Sequence, residues 1–388
     1  MSNTYDAIVI GLGGMGSAAA YQLARRGQRV LGLERHTPGH ALGSSHGKSR
    51  VIRQAYFEDP AYVPLLLRAY ELWREIEQET GKELLLITGG LMIGPSESGV
   101  FTGSLRSARE YGLYHEVLDA ADLRRRFPQF TPGDDIVALY ERQAGVVRPE
   151  EGVLAHLQGA EMHGAELHFQ EPAERWEASP SGDGVRVTTA QGSYEAARLV
   201  IAPGPWAYDL FRELNLPLEV ERQVLYWFQP TEGIAPFAPD RFPIYIWELE
   251  DGATIYGFPA IDGPTGGAKV AFFRMPDTFQ QICTPDTIER TVHADEIALM
   301  REAIATRIPT LNGQFLEAAT CMYTNTPDEH FVVGLHPRHP QVVIASPCSG
   351  HGYKFASVMG EVLADLATDG TTRHPIALFA PDRFLQQA

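Results

Sequence analysis

The stretch that decides the fold runs from residue 6 to residue 34 and reads DAIVIGLGGMGSAAAYQLARRGQRVLGLE. The apolar run at 6–10 predicts a buried strand, and 15–26 predicts a helix with one packed face. Gly27 closes that helix at the usual C-terminal position, and a second strand is expected over 29–34. Together they predict a β-α-β unit of about 30 residues, the context in which a G-x-G-x-x-G sequence binds a dinucleotide.

The glycines of this turn have separate expected roles. Gly11 permits the tight turn, Gly13 lets the backbone approach a pyrophosphate, and Gly16 lets helix and strand pack closely. The helix N-terminus then stabilises the diphosphate charge. Glu34 ends the second strand, where it can bind ribose hydroxyls and disfavours the 2′-phosphate of NADP. Since FAD and NAD share this unit, the motif alone leaves both open.

Composition limits what the rest of the chain can do. A length of 388 residues suggests two domains, and 44% hydrophobic with 21% charged residues is ordinary for a globular enzyme. The net charge of -17 disfavours nucleic acids and membranes as partners. The cysteines Cys283, Cys321 and Cys348 are too few for a disulfide scaffold and fit a reducing compartment, so a cytoplasmic protein is expected.

The remaining segments predict sheets assembled from distant parts of the chain. Short apolar strands are expected at 198–202 and 342–346, the second followed by a helix over about 355–367. Segments 84–94 and 223–271 are richer in aromatic and β-type residues and are expected to form a second sheet. A hairpin turn is also predicted at 179–184, between strands at 175–177 and 185–187.

Several further segments carry a resemblance to a known family. These segments are 43–56 (GSSHGKSRVIRQAY), 256–259, 268–270, 321–324, 328–331 and 350–355. In order and spacing they resemble the family of monomeric sarcosine oxidase and N-methyltryptophan oxidase, over essentially the whole chain. The resemblance implies an α/β fold with a Rossmann-like, glutathione-reductase-like FAD-binding domain and an interleaved mixed-sheet substrate domain. We expect residues 1–85, 150–215 and 320–388 in the first domain, and residues 86–149 and 216–319 in the second.

The resemblance also implies a cofactor and a reaction. It implies FAD bound covalently through Cys321, whose thiolate would form a thioether with the flavin. The implied reaction is oxidative demethylation of an N-methyl amino acid, with sarcosine the leading candidate, to the free amino acid, formaldehyde and hydrogen peroxide. Because the amine must be unprotonated to give up hydride, activity should rise with pH. N-methyltryptophan or a cyclic imino acid is the alternative substrate, and an NAD-dependent dehydrogenase or a non-catalytic flavin-binding subunit is a remote alternative.

Charged residues of the matching segments take roles from the resemblance. Arg53 and Lys354 resemble the pair that holds the substrate carboxylate, which an arginine fork can bind in bidentate fashion. Lys354 also lies in a glycine-rich turn at a helix start, where a cation is unfavourable unless an anion sits there. Lys269 resembles a lysine near the flavin that promotes reaction with oxygen. His46 and Arg50 match flavin-contacting positions and are expected to place positive charge beside the ring.

The remaining matches concern cavity walls and the cofactor turn. Tyr256 and Tyr323 match residues that line the substrate cavity. Gly350 and Gly352, with Lys354, form the turn expected to contact the cofactor. The chain departs from the family at Phe273, where the family has histidine, and we expect this to favour amines with an apolar group. Molecular oxygen and a small secondary amine are the expected partners of a monomer, no metal is expected, and Cys283 and Cys348 are expected to be structural.

Overall fold

The structure, a computed structural model, describes residues 4–180, 182–346 and 349–387. Helices and strands alternate along the chain, in the α/β organisation that the sequence predicts. In the described ranges the α-helices are α1 (Gly14–Arg25), α2 (Val63–Thr80), α3 (Gly99–Glu110), α4 (Ala120–Arg126), α5 (Pro149–Met162), α6 (Ala207–Leu210), α7 (Ala294–Ala305) and α8 (Ala356–Asp369).

The strands belong to three sheets. In chain order they are β1 (Thr4–Ile10), β2 (Val30–Leu33), β3 (Arg50–Ile52), β4 (Leu85–Ile87), β5 (Gly90–Pro95), β6 (Glu116–Asp119), β7 (Ile136–Glu141), β8 (Gly145–Val147), β9 (Glu166–His168), β10 (Arg175–Ala178), β11 (Val185–Thr189), β12 (Gly192–Ile201), β13 (Glu219–Gln229), β14 (Ile244–Glu248), β15 (Thr254–Gly257), β16 (Ala268–Phe272), β17 (Ile282–Cys283), β18 (Gln314–Asn325), β19 (Val332–His336) and β20 (His339–Ser346).

The first sheet contains the β-α-β unit predicted from the N-terminal stretch. Its parallel centre runs β20, β12, β1, β2, β9, and β10, β11 and β19 are added antiparallel. β1 and β2 are the two predicted strands, and α1 is the predicted helix between them. Gly27 follows α1 with φ of +79°, the left-handed conformation expected of a closing glycine. A ligand is therefore expected at the carboxyl ends of β1 and β2.

The C-terminal helix covers the same sheet. α8 buries Val358, Val362, Leu363 and Leu366, the four residues that its apolar spacing predicts. It packs against α1 and α2, and α1 also packs against α5. These helices and strands share one hydrophobic core with Trp73, which is fully buried. This core holds the turn that precedes α8 next to the glycine-rich turn between β1 and α1.

The second sheet stands apart from the first and is mostly antiparallel. Its order is β17, β13, β16, β15, β14, β5, β7, β6, with β18 beside β13. The prediction that 223–271 forms a second sheet is confirmed. The prediction for 84–94 is only half right, because β4 pairs with β8 in a small third sheet with β3, and only β5 joins the second sheet. β4 and β8 have three residues each, too few to show a period that distinguishes these sheets.

Three other expectations can be compared with the structure. β10 and β11 form the predicted hairpin, with Ala178 paired to Val185. β18 lies wholly in the second sheet, so the domain limit proposed at 319/320 falls inside a strand, and the domain limits remain a proposal.

Cys348 lies outside the described residues, and Cys283 is half-buried on the edge strand β17. Among the described helices, none has the length and apolarity required to cross a bilayer.

Candidate active site

A cavity of about 670 Å³ extends from the carboxyl ends of β1 and β2 to the second sheet. It is lined by elements of both sheets, which the core brings together from distant parts of the chain. On the first-sheet side the lining includes residues 10–15, Glu34, residues 43–45, Trp206 and residues 350–354. On the second-sheet side it includes Leu225, Ile246, Tyr256, Phe273 and residues 321–324.

The glycine turn has the geometry that the sequence predicts. Gly11 has φ of +83°, and a Cβ there would lie 2.5 Å from the carbonyl oxygen of Ala202. A Cβ on Gly16 would lie 1.7 Å from the carbonyl oxygen of Gly11, so only glycine allows α1 to start so close to β1. A Cβ on Gly13 would have Ser45 Oγ, at 3.7 Å, as its nearest neighbour. Gly13 therefore leaves its backbone open to the cavity, beside the N-terminus of α1.

Glu34 is buried at the end of the cavity next to this turn. Its carboxylate accepts hydrogen bonds from the backbone N–H of Leu12 (2.8 Å) and His36 (2.9 Å), and His40 Nε2 lies 3.4 Å away. Burial opposes ionisation, but the hydrogen bonds from His40, Leu12 and His36 outweigh it and lower the pKa of Glu34. Trp206 lines the same end, and its buried indole Nε1 has no partner in the described part of the chain. This end presents a carboxylate acceptor and an N–H donor to a ligand.

Cys321 and Arg50 meet in the middle of the cavity wall. Arg50 Nη2 lies 3.4 Å from the Cys321 sulfur and also donates to the carbonyl oxygen of Ser44 at 3.0 Å. Cys321 is 2% exposed, on β18, and lines the cavity. The guanidinium places a fixed positive charge beside the sulfur, and the thiolate is the nucleophilic form of cysteine.

The structure corrects the positive charge expected on His46. Burial, and then the nearby Arg50, lower the pKa of His46 to about 3, so the imidazole is neutral at pH 7. Its Nε2 atom is buried and has no partner in the described residues, and His46 is not among the residues that line the cavity. Sequence reasoning missed this because a loop histidine gives no sign of its burial. Of the two predicted cations next to the flavin, Arg50 alone carries the charge.

Arg53 and Lys354 are both buried and both line the cavity, as the carboxylate-binding role requires. Arg53 Nη2 lies 2.5 Å from Glu58 Oε2, and its guanidinium stacks 4.1 Å above the Tyr56 ring. Burial, together with Arg53, lowers the pKa of Lys354 to about 7. Burial would raise the pKa of Glu58, but Arg53 and other cations outweigh it and lower the pKa. Glu58 therefore takes one nitrogen of the guanidinium, and the buried Nε of Arg53 has no partner among the described residues.

Lys269 lies behind the cavity wall. Its Nζ donates to the carbonyl oxygens of Gly47 and Ser49, each at 2.8 Å, and it lies 4.8 Å from the centre of the Phe258 ring. Burial, and then Arg50, lower the pKa of Lys269 well below its usual value. Neither Lys269 nor the two residues that it contacts, Gly47 and Ser49, are among the residues lining the cavity.

The aromatic residues expected in the cavity wall are found there. Tyr256, Phe273 and Tyr323 all line the cavity, and the rings of Phe273 and Tyr323 are 6.0 Å apart with 50° between their planes. Burial raises the pKa of both tyrosines, which keeps their hydroxyls protonated. Phe273 follows the last residue of β16, is partly buried, and packs against the hydrophobic cluster that contains Tyr256 and Cys321. Lys269, four residues earlier, does not share its access to the cavity.

Two acidic residues of the site escaped the sequence analysis. Glu58 faces Arg53, five residues earlier, which is not a recognised helix or strand spacing. Glu150, in the first turn of α5, accepts the backbone N–H groups of Gly47 (2.6 Å) and Lys48 (3.1 Å). Lys48 has φ of +66°, and this conformation is held by Glu150, which binds N–H groups of the loop, and by Lys269, which binds its carbonyl oxygens. Acidic residues in a first helical turn are common, so the sequence offered no specific signal.

A separate cluster outside the cavity lining contains Glu213, His336 and His339, which could in principle bind a metal. Its contacts already have another explanation. His336 Nδ1 accepts the backbone N–H of Arg338 at 3.2 Å, so the neutral ring carries its proton on Nε2, 2.8 Å from Glu213. The Arg338 guanidinium binds the same carboxylate at 3.1 Å. The cluster is an ion network between the β19–β20 turn and a loop.

The fold and the site define a two-domain, dinucleotide-binding oxidoreductase. The defining features are a parallel sheet with this glycine turn, an acidic residue placed to bind a ribose, and a cavity closed by a second sheet. The chain belongs to the FAD dependent oxidoreductase family, which it matches over residues 6–366. This resolves the choice between FAD and NAD that the glycine motif leaves open, and it makes an NAD-dependent dehydrogenase untenable.

Known relatives are similar over their whole length. The chain is 59% identical to monomeric sarcosine oxidase of Streptomyces avermitilis, covering 99% of this chain and 98% of that protein. It is 39% identical to monomeric sarcosine oxidase of Bacillus sp. (strain B-0618), covering 99% and 97%. It is 33% identical to N-methyl-L-tryptophan oxidase of Salmonella heidelberg, covering 98% and 100%.

Solved structures share the fold. NikD, described as an unusual amino acid oxidase essential for nikkomycin biosynthesis, superimposes with a TM-score of 0.83 at 25% identity, covering 98% of each chain. L-proline dehydrogenase from P. horikoshii gives a TM-score of 0.84 at 23% identity, covering 100% of this chain and 99% of the other. These similarities confirm the predicted α/β fold with its FAD-binding domain.

Proposed function

We propose that this protein is an FAD-dependent oxidase that demethylates sarcosine. The observation that carries the proposal is the full-length similarity to sarcosine oxidases, at 59% identity, together with two buried cations in a cavity that also holds Cys321. The overall change converts sarcosine, water and oxygen into glycine, formaldehyde and hydrogen peroxide. FAD, when bound, supplies the two-electron chemistry by accepting electrons from the amine and passing them to oxygen.

The cavity residues fit FAD along its length. Gly13 and the N-terminus of α1 would accept the diphosphate, and the ionised Glu34 would accept the ribose hydroxyls. Trp206 Nε1, which lacks a protein partner among the described residues, would donate to the adenosine end. Gly350 and Gly352, at the opposite end, line the cavity beside Lys354. We propose that Cys321 holds the flavin as a thioether, supported by its place on the wall and by the adjacent guanidinium of Arg50.

Arg53 and Lys354 would bind the substrate carboxylate. Both are within the cavity lining, and a fork of two N–H groups plus an ammonium matches the two carboxylate oxygens. Arg53 Nε, which has no partner among the described residues, would donate to the substrate carboxylate, and Glu58 would share Nη2 with it or move aside. Tyr256 and Tyr323 would then pack against the amine and its methyl group and exclude water.

Two residues would act on the flavin side of the reaction. Arg50 would stabilise negative charge near Cys321, because its guanidinium is fixed by two backbone carbonyls as well as the sulfur. Lys269 would assist the reaction with oxygen from behind the loop formed by residues 47–49. His46 would contribute a neutral ring, which supports this loop and does not add charge.

Phe273 is the observation that favours a second group of substrates. An aromatic surface on the cavity wall, 6.0 Å from Tyr323, would accept an apolar group on the substrate. N-methylated amino acids with a side chain and cyclic imino acids are therefore secondary candidates, with N-methyltryptophan among them. We further propose that the protein acts as a monomer in the cytoplasm, which its low cysteine content and negative charge support.

Charge removal tests the carboxylate site. Arg53→Ala and Lys354→Ala should each weaken apparent sarcosine affinity by roughly 10- to 150-fold, the cost of one charge-assisted contact. Arg274→Gln is the matched control, because Arg274 is a partly buried cation paired with Glu221 and Glu329 that does not line the cavity. Steady-state kinetics that leave KM and kcat unchanged in both cavity variants would refute the assignment.

A further inference from the structure

The Lys354 ammonium is held by two contacts that the reaction itself does not explain. Nζ donates to the carbonyl oxygen of His351 at 2.6 Å and lies 3.4 Å from the hydroxyl oxygen of Tyr56. The backbone of Lys354 is fixed by the indole of Trp73, which donates to its carbonyl oxygen at 3.0 Å. An ammonium has three N–H groups, so one remains for a ligand in the cavity.

The direction of each hydrogen bond follows from the acceptors present. His351 Nε2 lies 3.0 Å from the carbonyl oxygen of Glu329, which can only accept, so Nε2 carries a proton. Burial lowers the pKa of His351 to about 4, so the ring is neutral and Nδ1 has a free lone pair. The Tyr56 hydroxyl, 2.5 Å from Nδ1, must therefore donate its proton there. That donation leaves the Tyr56 oxygen lone pairs for the Lys354 ammonium.

We propose that Tyr56 and His351 are positioning residues that hold the Lys354 side chain in place and favour its protonated form, which a substrate carboxylate needs. This inference rests on the proposed carboxylate site. The chain of donors runs from Lys354 to Tyr56, from Tyr56 to His351, and from His351 to the Glu329 backbone. Because each step has one possible direction, the oxygen of Tyr56 is held as an acceptor.

The charges around Lys354 make the Tyr56 oxygen important for keeping the lysine protonated. Arg53 and Arg50 repel the ammonium, Glu58 attracts it, and His351 is neutral. With two cations close by and little water, each acceptor helps to keep Lys354 protonated. Loss of the Tyr56 oxygen should therefore lower the pKa of Lys354 and weaken its hold on a carboxylate. The Tyr56 ring, 4.1 Å from the Arg53 guanidinium, would remain in Tyr56→Phe, so the Arg53 contact is retained.

The test is the binding of methoxyacetate, a sarcosine isostere in which an ether oxygen replaces the amine, to the flavin-loaded enzyme. Dissociation constants come from flavin absorbance titrations between pH 6 and 9. Tyr56→Phe should weaken binding about two- to tenfold at neutral pH, the effect of one lost hydrogen bond. The pH at which binding is half lost should fall by about half to one unit, because one pH unit corresponds to a tenfold change.

Tyr62→Phe is the matched control. Tyr62 is fully buried beside Tyr56, with ring centres 4.9 Å apart, and its hydroxyl contacts His330 Nδ1 at 3.0 Å instead of reaching Lys354. The same pH profile and affinity in Tyr56→Phe and Tyr62→Phe would overturn the inference. If Tyr56→Phe does not fold, a second pair of variants, at His351, tests the same inference. His351→Asn keeps an acceptor near Nδ1 and should retain binding, whereas His351→Leu leaves the Tyr56 hydroxyl free to turn and should weaken binding in the same direction as Tyr56→Phe.

Lys354→Met distinguishes failure of the positioning role from failure of the proposed carboxylate site. If Lys354→Met leaves methoxyacetate binding unchanged, the proposed carboxylate site is itself wrong. If Lys354→Met weakens binding while Tyr56→Phe and His351→Leu do not, the carboxylate site stands and the positioning role is refuted.

Discussion

Arg50 Nη2 lies 3.4 Å from the sulfur of Cys321, although the two residues are 271 positions apart in the chain. The contact joins β3 of the small third sheet to β18 of the second sheet. The guanidinium is also fixed by the carbonyl oxygens of Ser44 and Ser49, so its charge cannot turn away from the sulfur. The arrangement places a cation where a thiolate would have to form for covalent flavin attachment.

Covalent attachment predicts how the flavin behaves in acid. After acid precipitation the wild-type pellet should stay yellow, and the pellet of Cys321→Ser should lose its colour to the supernatant. Cys283→Ser is the control, since Cys283 is half-buried on an edge strand and does not line the cavity. A wild-type pellet that releases all of its flavin would rule out the thioether.

The low pKa of Lys354 predicts proton uptake when a carboxylate binds. Burial and Arg53 lower that pKa to about 7 in the free protein, so at pH 8 most of the lysine is neutral. A bound carboxylate raises the pKa, and binding should then take up roughly half a proton or more at pH 8 and much less at pH 6. Calorimetry of methoxyacetate binding in buffers of different ionisation enthalpy measures this uptake. Uptake that persists in Lys354→Met would assign the proton to another group.

Lys269 should affect the two half-reactions unequally. Stopped-flow traces of Lys269→Met should show slow reoxidation by oxygen and reduction by sarcosine near the wild-type rate. The alternative is a purely structural role, because Lys269 holds Gly47 and Ser49 through two 2.8 Å hydrogen bonds. A loop that simply loses its support would slow both half-reactions, and unaltered reoxidation would remove Lys269 from the oxygen step.

Phe273 should set the tolerance for apolar groups on the substrate. One methylene in an apolar pocket is worth about 1–3 kcal/mol of discrimination. In Phe273→His, kcat/KM for N-methylalanine or a cyclic imino acid should fall relative to sarcosine, because the aromatic surface beside Tyr323 is lost. Phe272→Leu, a change in the buried strand residue next to it, controls for altered packing. An unchanged substrate ratio in Phe273→His would leave Phe273 a packing residue.

Local sequence predicted the parts of the site that depend on backbone geometry. The role of Gly16 follows from its contact with Gly11 within one β-α-β unit, so spacing sufficed there, whereas the contact of Gly11 with the carbonyl oxygen of Ala202 involves a distant strand. The charge state of His46 and the pairing of Arg53 with Glu58 depend on which segments cover them, and no local pattern reports that. The sheet to which β4 belongs was mispredicted for the same reason. β4 pairs with β8, which lies about 60 residues further along the chain, and no local pattern reports that pairing.

The most direct test is the balance of products from sarcosine. Purified protein in air-saturated buffer should consume one oxygen per sarcosine and release equal amounts of hydrogen peroxide, formaldehyde and glycine. The rate should rise with pH as the amine loses its proton, and Arg53→Ala should reduce it at low sarcosine concentration. Sarcosine left unconsumed by the yellow, flavin-loaded protein, with no peroxide formed, would contradict the proposed function.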